Sequence, residues 1–282
     1  MKTILLLALA AIGHAQSTIS PTDRYAYAAN AGWIDFRVSA PDGVRVSDTC
    51  LAGFAYGANF GFMDLGNGAP LNGHSYSNAS ATNFGVNVSP AGLLTGNAYA
   101  ANIGWVQFEQ THGQPKIDLL TGKFSGHAYS ANLGWIALDT PSSDLATTTI
   151  FRPDTDTDGI PDYWENLQFG NLTLANASTD RDGDGASDAA EYMAATLPTD
   201  AASLLRITAH SYNSNQTTAN LTWTISPVRN YRLEYDTDLA APWTNSALGT
   251  ITPAPGATAT RSLTLATAPK RFFRAVAVLP LP

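Results

Sequence analysis

Four eleven-residue stretches in the first half of the chain align without a gap: AYAANAGWIDF (26–36), AYGANFGFMDL (55–65), AYAANIGWVQF (98–108) and AYSANLGWIAL (128–138). Ala, Tyr, Ala, Asn and Gly stand at the same places in all four. A unit this short buries its apolar side only against other copies, so the repeats must assemble with one another. Each copy reads as a β-hairpin, because Asn30, Asn59, Asn102 and Asn132 tolerate a left-handed backbone at the turn and Gly follows two residues later. Three copies are preceded by a further strand and turn, GVRVSDTCLAG, GVNVSPAGLLTG and PKIDLLTGKFSG, which makes the unit a three-stranded meander with a weaker first copy. A degenerate piece, NGHSYSNASATNFG (72–85), fills the longest gap. The expectation is a mainly β, repeat-built meander domain over residues 16–140, arranged as a sandwich or a barrel.

Period-two alternation assigns the faces of these hairpins. After each turn one face carries Ile34, Met63, Val106 and Ile136 followed by Phe36, Leu65, Phe108 and Leu138, which is the core side. The other carries Trp33, Phe62, Trp105 and Trp135, followed two residues on by Asp35, Asp64, Gln107 and Ala137. An aromatic row sharing a face with polar residues is half covered. Two expectations follow: the rings pack on the neighbouring hairpin's Tyr27, Tyr56, Tyr99 or Tyr129 as a ladder, or they form a stacking surface for sugar rings or a protein partner. The hairpin resembles a repeat of the form Gly-x-Ala-Trp-x-x-Asn-x-Gly-Trp-Ile seen in secreted bacterial proteins, with Tyr here in place of the first Trp. That resemblance implies a repeat architecture and an extracellular address, and no particular activity.

Two twelve-residue windows, DTDTDGIPDYWE (154–165) and DRDGDGASDAAE (180–191), place carboxylates at positions 1, 3, 5, 9 and 12 with Gly at 6. This is the spacing of a calcium loop. Alternate short carboxylates surround the ion, a backbone carbonyl serves at position 7, a bidentate Glu closes position 12, and Gly159 or Gly185 makes the sharp turn. The candidate ligands are Asp154, Asp156, Asp158, Ile160, Asp162 and Glu165 in the first loop. In the second they are Asp180, Asp182, Asp184, Ala186, Asp188 and Glu191. The windows hold ten carboxylates and one Arg, a net of -9 against -8 for the whole chain, so the protein's acidity resides in these loops.

The segments before the loops, TTTIFRP and LTLANAST, are β-branched, Pro-bearing or Asn-rich and do not read as entering helices. Exiting helices are expected through PDYWENLQF, with Pro161 in the first turn, and through SDAAEYMAAT, capped by Ser187. Pro161 also lacks the position-8 N–H that bridges paired EF-hand loops, which disfavours a sensor that opens on binding. The windows resemble the half-EF-hand loops of dockerins and thrombospondin type 3 repeats. The string DRDGDGASDAAEYMAATLPTDAAS (180–203) is similar to a calcium-binding segment of secreted bacterial surface proteins. Where that pattern ends its helix in Gly-Thr-Asp-Pro, this chain has Ala195, Thr196, Leu197 and Pro198.

Lys2, the apolar run ILLLALAAI, and Gly13 and Ala15 before Gln16 read as a secretory signal peptide over residues 1–15, too short to span a membrane. No other run has membrane length. The single Cys50 precludes an internal disulfide and reads as a buried structural thiol. Residues 141–153, including TPSSDLATTT, read as a linker into a calcium segment over 154–203. From 204 to 282 short alternating strands (Leu221, Trp223, Ile225; Tyr231, Leu233, Tyr235; Leu263, Leu265; then RFFRAVAV) suggest a small β-sandwich. It is loosely similar to a fibronectin type III module. Lys270, Arg271 and Arg274 read as a solvated edge, and nucleic-acid binding is not expected at this charge balance.

Catalytic signatures are weak. The histidines form no H-x-x-x-H pair, and GHSYS (73–77) lacks the second Gly of a nucleophile elbow. Asp35, Asp64, Glu109, Asp118 and Asp139 are available as a distant carboxylate pair, but the Asp35 and Asp64 slots become Gln107 and Ala137 in the other copies. The expected function is therefore a secreted or cell-surface, non-catalytic calcium-binding protein in which two Ca2+ ions rigidify the connector between two β-domains. Alternatives are a module binding a surface polysaccharide or protein through the aromatic row, and a dockerin-like calcium-dependent docking element.

Overall fold

A computed structural model describes residues 16–282 apart from residues 40, 240, 241 and 265–270. Residues 1–15, read above as a signal peptide, and Leu265 and Lys270 lie outside the described residues. The first domain runs β1 (Ile19–Ala28), β2 (Gly32–Asp35), β3 (Arg45–Val46), β4 (Leu51–Ala52), β5 (Phe54–Gly57), β6 (Gly61–Asp64) and β7 (Val86–Val88). It continues with β8 (Leu94–Ala100), β9 (Gly104–Phe108), β10 (Lys116–Ile117), β11 (Phe124–Ser125), β12 (His127–Ser130), β13 (Gly134–Ala137) and β14 (Leu145–Thr147).

The four repeats are the hairpins β1–β2, β5–β6, β8–β9 and β12–β13. They pair side by side, all antiparallel, and β13 returns to β1 through Tyr27 opposite Ala137 and Ala28 opposite Ile136. The result is a closed eight-stranded up-and-down barrel, which resolves the choice between sandwich and barrel. Closure follows from how the interior is filled. Inward positions on the first strand of each hairpin are small (Ala26, Ala55, Ala98, Ala128), and each faces a large residue on the second (Ile34, Met63, Val106, Ile136). Small and large therefore alternate around the circumference, the arrangement that lets an eight-stranded barrel fill its own interior.

All four hairpin turns lie at one end, and there the expected role of asparagine is corrected. The left-handed residues are the glycines, with φ of 80° at Gly32, 88° at Gly61, 72° at Gly104 and 77° at Gly134. The asparagine amides instead clasp a neighbouring hairpin. Nδ2 of Asn30 donates to the Leu133 carbonyl (3.0 Å), Asn59 to Ala31, Asn102 to Phe60 and Asn132 to Ile103 (each 2.9 Å). These four bonds form a ring around the mouth of the barrel. The accepting residues Ala31, Phe60, Ile103 and Leu133 are themselves buried and stopper that mouth.

At the other end the preceding strands extend the same core. β3 pairs β4, β7 pairs β8 and β10 pairs β11, placing Val46, Leu51, Val86, Ile117 and Phe124 beneath the barrel. The segment read as a linker is largely part of this domain: β14 pairs β1, and Leu145 and Ile150 are buried in the barrel core. Its Thr and Leu content, which reads as low complexity, is that of a strand half covered by a neighbour.

Beyond it come α1 (Asp162–Phe169) and α2 (Asp188–Ala194), and among the described residues no helix runs directly into the start of either loop. Pro161 takes the capping place rather than the first turn, its carbonyl accepting from the N–H groups of Trp164 and Glu165. Ser187 caps α2 as expected. Ile160, Trp164, Ala175 and Tyr192 form a small core between the helices, and Leu279 packs on it.

The last domain is a two-sheet sandwich. β15 (Ile207–Tyr212), β16 (Thr218–Thr224) and β19 (Thr258–Thr264) form one sheet, and β17 (Asn230–Asp236), β18 (Thr244–Asn245) and β20 (Phe272–Val278) the other. Trp223, Tyr231, Leu221 and Leu233 fill it. Arg274, read as a solvated edge cation, bonds Glu234 at 2.7 Å and lies 4.5 Å over Trp243. The chain then returns to the barrel, where the Ile150 N–H donates to the Pro282 carbonyl at 2.9 Å and Leu281 packs against the barrel core. No helix among the described residues is long and apolar enough to cross a membrane.

Candidate metal centres

Each loop gathers its first three aspartates into one cluster. Ligand-capable oxygens of Asp154, Asp156 and Asp158 lie within 4.8 Å of one another, and so do those of Asp180, Asp182 and Asp184. Local backbone bonds set them there. Asp154 accepts from the N–H groups of Asp158 and Gly159, and Asp180 accepts from those of Gly183 and Gly185, so the first aspartate folds the loop around itself. Gly159 and Gly185 sit at φ of 94° and 97° with nothing within 4 Å of an added Cβ. Their requirement is conformational, not spatial.

Acidic clusters on a surface need no ion. The closing glutamates are different: Glu165 and Glu191 are fully buried. Both carboxylate oxygens of Glu165 and Oε2 of Glu191 have no hydrogen-bond partner, and neither do the buried Oδ2 atoms of Asp158, Asp182 and Asp184. Among the described residues, six of the eleven buried side-chain oxygens and nitrogens without a partner are carboxylate oxygens of these two loops, and each carries a desolvation penalty of about 1–3 kcal/mol or more that a bound cation would offset. The donor set is all oxygen, which suits a hard cation and excludes a preference for soft metals. The side chain of Ile160 is buried beside Trp164 and Tyr192, so only its main chain is free to serve the seventh position.

Two predicted ligands are engaged elsewhere. Asp162 accepts from both the N–H and the hydroxyl of Thr155 (2.7 and 2.6 Å), and Asp188 accepts from the Thr179 hydroxyl (2.5 Å) and the Arg181 N–H. These ninth-position carboxylates lace the start of each loop to the start of its helix. The sequence shows that an Asp stands there, whereas its partner Thr, seven or nine residues earlier, follows only from the folded loop.

Burial, followed by the charges of neighbouring aspartates, pushes Glu165 up to about 8 and Glu191 up to about 7. The sign of the resulting pH dependence is fixed. With folded values above the ordinary 4.5, stability without metal is fully present below about pH 4.5 and is lost as pH rises through 7 to 8. Melting curves in EGTA are expected to fall across that interval. A hard cation held by the deprotonated carboxylates would abolish the fall.

The helices carry these loops to both β-domains. Trp164 meets Tyr192 edge-on at 5.8 Å, and the Tyr192 hydroxyl donates to Asp48 of the barrel domain, which also holds Arg152. From the sandwich, Arg229 donates to the carbonyls of Tyr192 and Met193, satisfying the end of α2. Tyr163 of α1 donates to Gly68 and shares a buried pocket with Tyr76 and Cys50, whose thiol burial pushes its pKa up. None of these long-range contacts is visible as a local pattern. Ala195 occupies the stop position of α2 at φ 55°, where the related pattern has Gly. Ala195→Gly should therefore stabilise the protein by about 0.5–1 kcal/mol in urea titrations.

The aromatic row lies on the outside of the barrel. Trp33, Phe62, Trp105 and Trp135 remain 45–56% exposed. Each meets the Tyr of its own hairpin edge-on at 5.0–5.1 Å, not that of its neighbour as the ladder expectation had it. Between hairpins the belt is interrupted, since Asp35 faces Tyr56, Asp64 faces Tyr99, Gln107 faces Tyr129 and Ala137 faces Tyr27. No family model, curated protein or solved structure matches the chain.

Proposed function

We propose that this is a secreted or cell-surface, non-catalytic calcium-binding protein in which two Ca2+ ions rigidify the joint between a repeat-built barrel and a β-sandwich. The observation that carries the proposal is the pair of buried glutamates, Glu165 and Glu191, whose unpartnered oxygens accompany the aspartate clusters. The residues that would hold the first ion are Asp154, Asp156, Asp158, Glu165 and the Ile160 main chain. For the second they are Asp180, Asp182, Asp184, Glu191 and the Ala186 main chain. Calcium supplies charge neutralisation, and the chain's own residues turn that into rigidity. Each closing glutamate lies in the first turn of its helix, so ligation fixes α1 and α2 to their loops. Trp164, Tyr192 and Arg229 then hold those helices to the flanking domains.

A dockerin-like element would present its helices to another protein. Here Ile160, Trp164 and Tyr192 are buried within the chain, which favours a joint. Calorimetric titration of the secreted chain should find two calcium ions per molecule. Glu165→Gln and Glu191→Gln should each remove one, and a stoichiometry of zero would sink the proposal.

A further inference from the structure

We infer that the outer seam between the third and fourth hairpins binds a neutral oligosaccharide. The barrel register sets four aromatic residues and two amides in one continuous patch. Tyr99 faces Trp105 and Asn97 faces Gln107 across β8 and β9, Gln107 faces Tyr129 across β9 and β12, and Tyr129 faces Trp135. Two open grooves, of about 370 and 350 Å3, flank this seam and share Gln107. The first is bordered by Asn97 and Trp105, the second by Tyr129, Trp135 and Glu109. Each is at the small end of the range for small-molecule pockets.

The chemistry of the patch selects its occupant. Trp105 is set edge-on between Tyr99 at 5.0 Å and Phe84 at 5.1 Å, and Trp135 lies against Tyr129 at 5.0 Å and His127 at 6.2 Å, so both indoles are held in place while remaining 45% exposed. Little side-chain entropy is left to lose when a ligand stacks on them. Beside them, the side-chain amides of Asn97 and Gln107 make no hydrogen bond among the described residues, so each offers two donors and an acceptor. The one carboxylate in the grooves, Glu109, is spent on the N–H groups of Thr111, His112 and Gly113. No Lys or Arg lines either groove.

A sugar ring satisfies all of this, with its C–H face on an indole and its hydroxyls on the amides. A purely apolar peptide or an acyl chain would leave two amides desolvated without partners. A nucleic acid or an acidic polymer would find no Lys or Arg to neutralise its charge. The quasi-equivalent seam at Trp33 differs in the deciding residue, because Asp35 there is paired with Arg24 at 2.8 Å and also accepts from the Arg37 N–H. That seam serves as an internal control.

The test is isothermal calorimetry of the calcium-loaded full chain with cello-, xylo-, laminari-, manno-, malto- and chito-hexaose. Oligogalacturonate and phosphatidylglycerol vesicles are the competing probes. At least one neutral hexasaccharide should bind with a Kd below about 1 mM and shift tryptophan fluorescence. Trp105→Ala and Gln107→Ala should each weaken it about tenfold or more, while Trp33→Ala changes it less than about twofold. Because Gln107 is exposed, its variant should melt with the parent, which separates lost binding from lost folding. Binding to none of the neutral hexasaccharides, or only to the acidic oligomer or the vesicles, would overturn the inference. So would an equal loss from Trp33→Ala.

Discussion

In EGTA the protein is expected to melt roughly 6–11 °C below its midpoint in about 1 mM calcium, with magnesium restoring little of the difference. Extracellular calcium modules bind with Kd values of roughly 0.1–1 mM. At about tenfold saturation each proposed site would contribute about 1.4 kcal/mol to the folded state, and a domain of this size moves by about 2–4 °C per kcal/mol. Asp158→Ala and Asp184→Ala should each remove about half of the shift. A second signature separates specific sites from general ionic effects. In EGTA, Glu165→Gln should melt above the parent, because it replaces a buried, unpartnered carboxylate with a neutral amide; in calcium it should melt below. Scanning calorimetry in both buffers reads the crossing. Coincident curves with and without calcium would remove the ions from the account.

The second large effect lies in the barrel mouth. A Cβ added at Gly57 would stand 2.2 Å from the ring of Phe60, whereas the equivalent pairs in the other hairpins are Ala28 with Ala31, Ala100 with Ile103 and Ser130 with Leu133. The second hairpin carries the bulkiest of the four stoppers and has given up its opposing side chain. Gly57→Ala alone should cost about 1–3 kcal/mol by overpacking, and Phe60→Ala about 3–5 kcal/mol by leaving a cavity. Gly57→Ala combined with Phe60→Ile rebuilds the third hairpin's pair and should return stability to within about 1 kcal/mol of the parent. Urea titrations of the cycle decide it, and additive losses would mean that the two positions do not share the space.

The parts of this architecture governed by short spacing were legible in the sequence. The eleven-residue repeat specified four hairpins and their core faces, and the twelve-residue windows specified two loops with exiting helices only. Sequence left closure undecided, because the pairing of Tyr27 with Ala137 joins segments more than a hundred residues apart and depends on how eight strands fill a cylinder. It also misplaced the work of asparagine. Local propensity gives Asn30 to the turn, but its amide serves Leu133 on another hairpin. At the loops, Asp162 and Asp188 fitted the ligand spacing, yet their carboxylates meet Thr155 and Thr179, a competition that counting residues does not display. Residues 141–153 were legible only as low complexity, since the strand formed there is defined by its partner β1.

The asparagine ring also orders events in time. Three of its clasps join residues 28, 29 and 42 apart in sequence, whereas the fourth, Asn30 to Leu133, spans 103. The first three can form as the chain emerges, each new hairpin latching onto the one before it. The last must wait for the fourth hairpin, and until then the growing sheet exposes two unpaired edges. Closure is thus a late, single step whose delay is the interval of greatest exposure to mispairing, and Asn30 is the side chain that ends it.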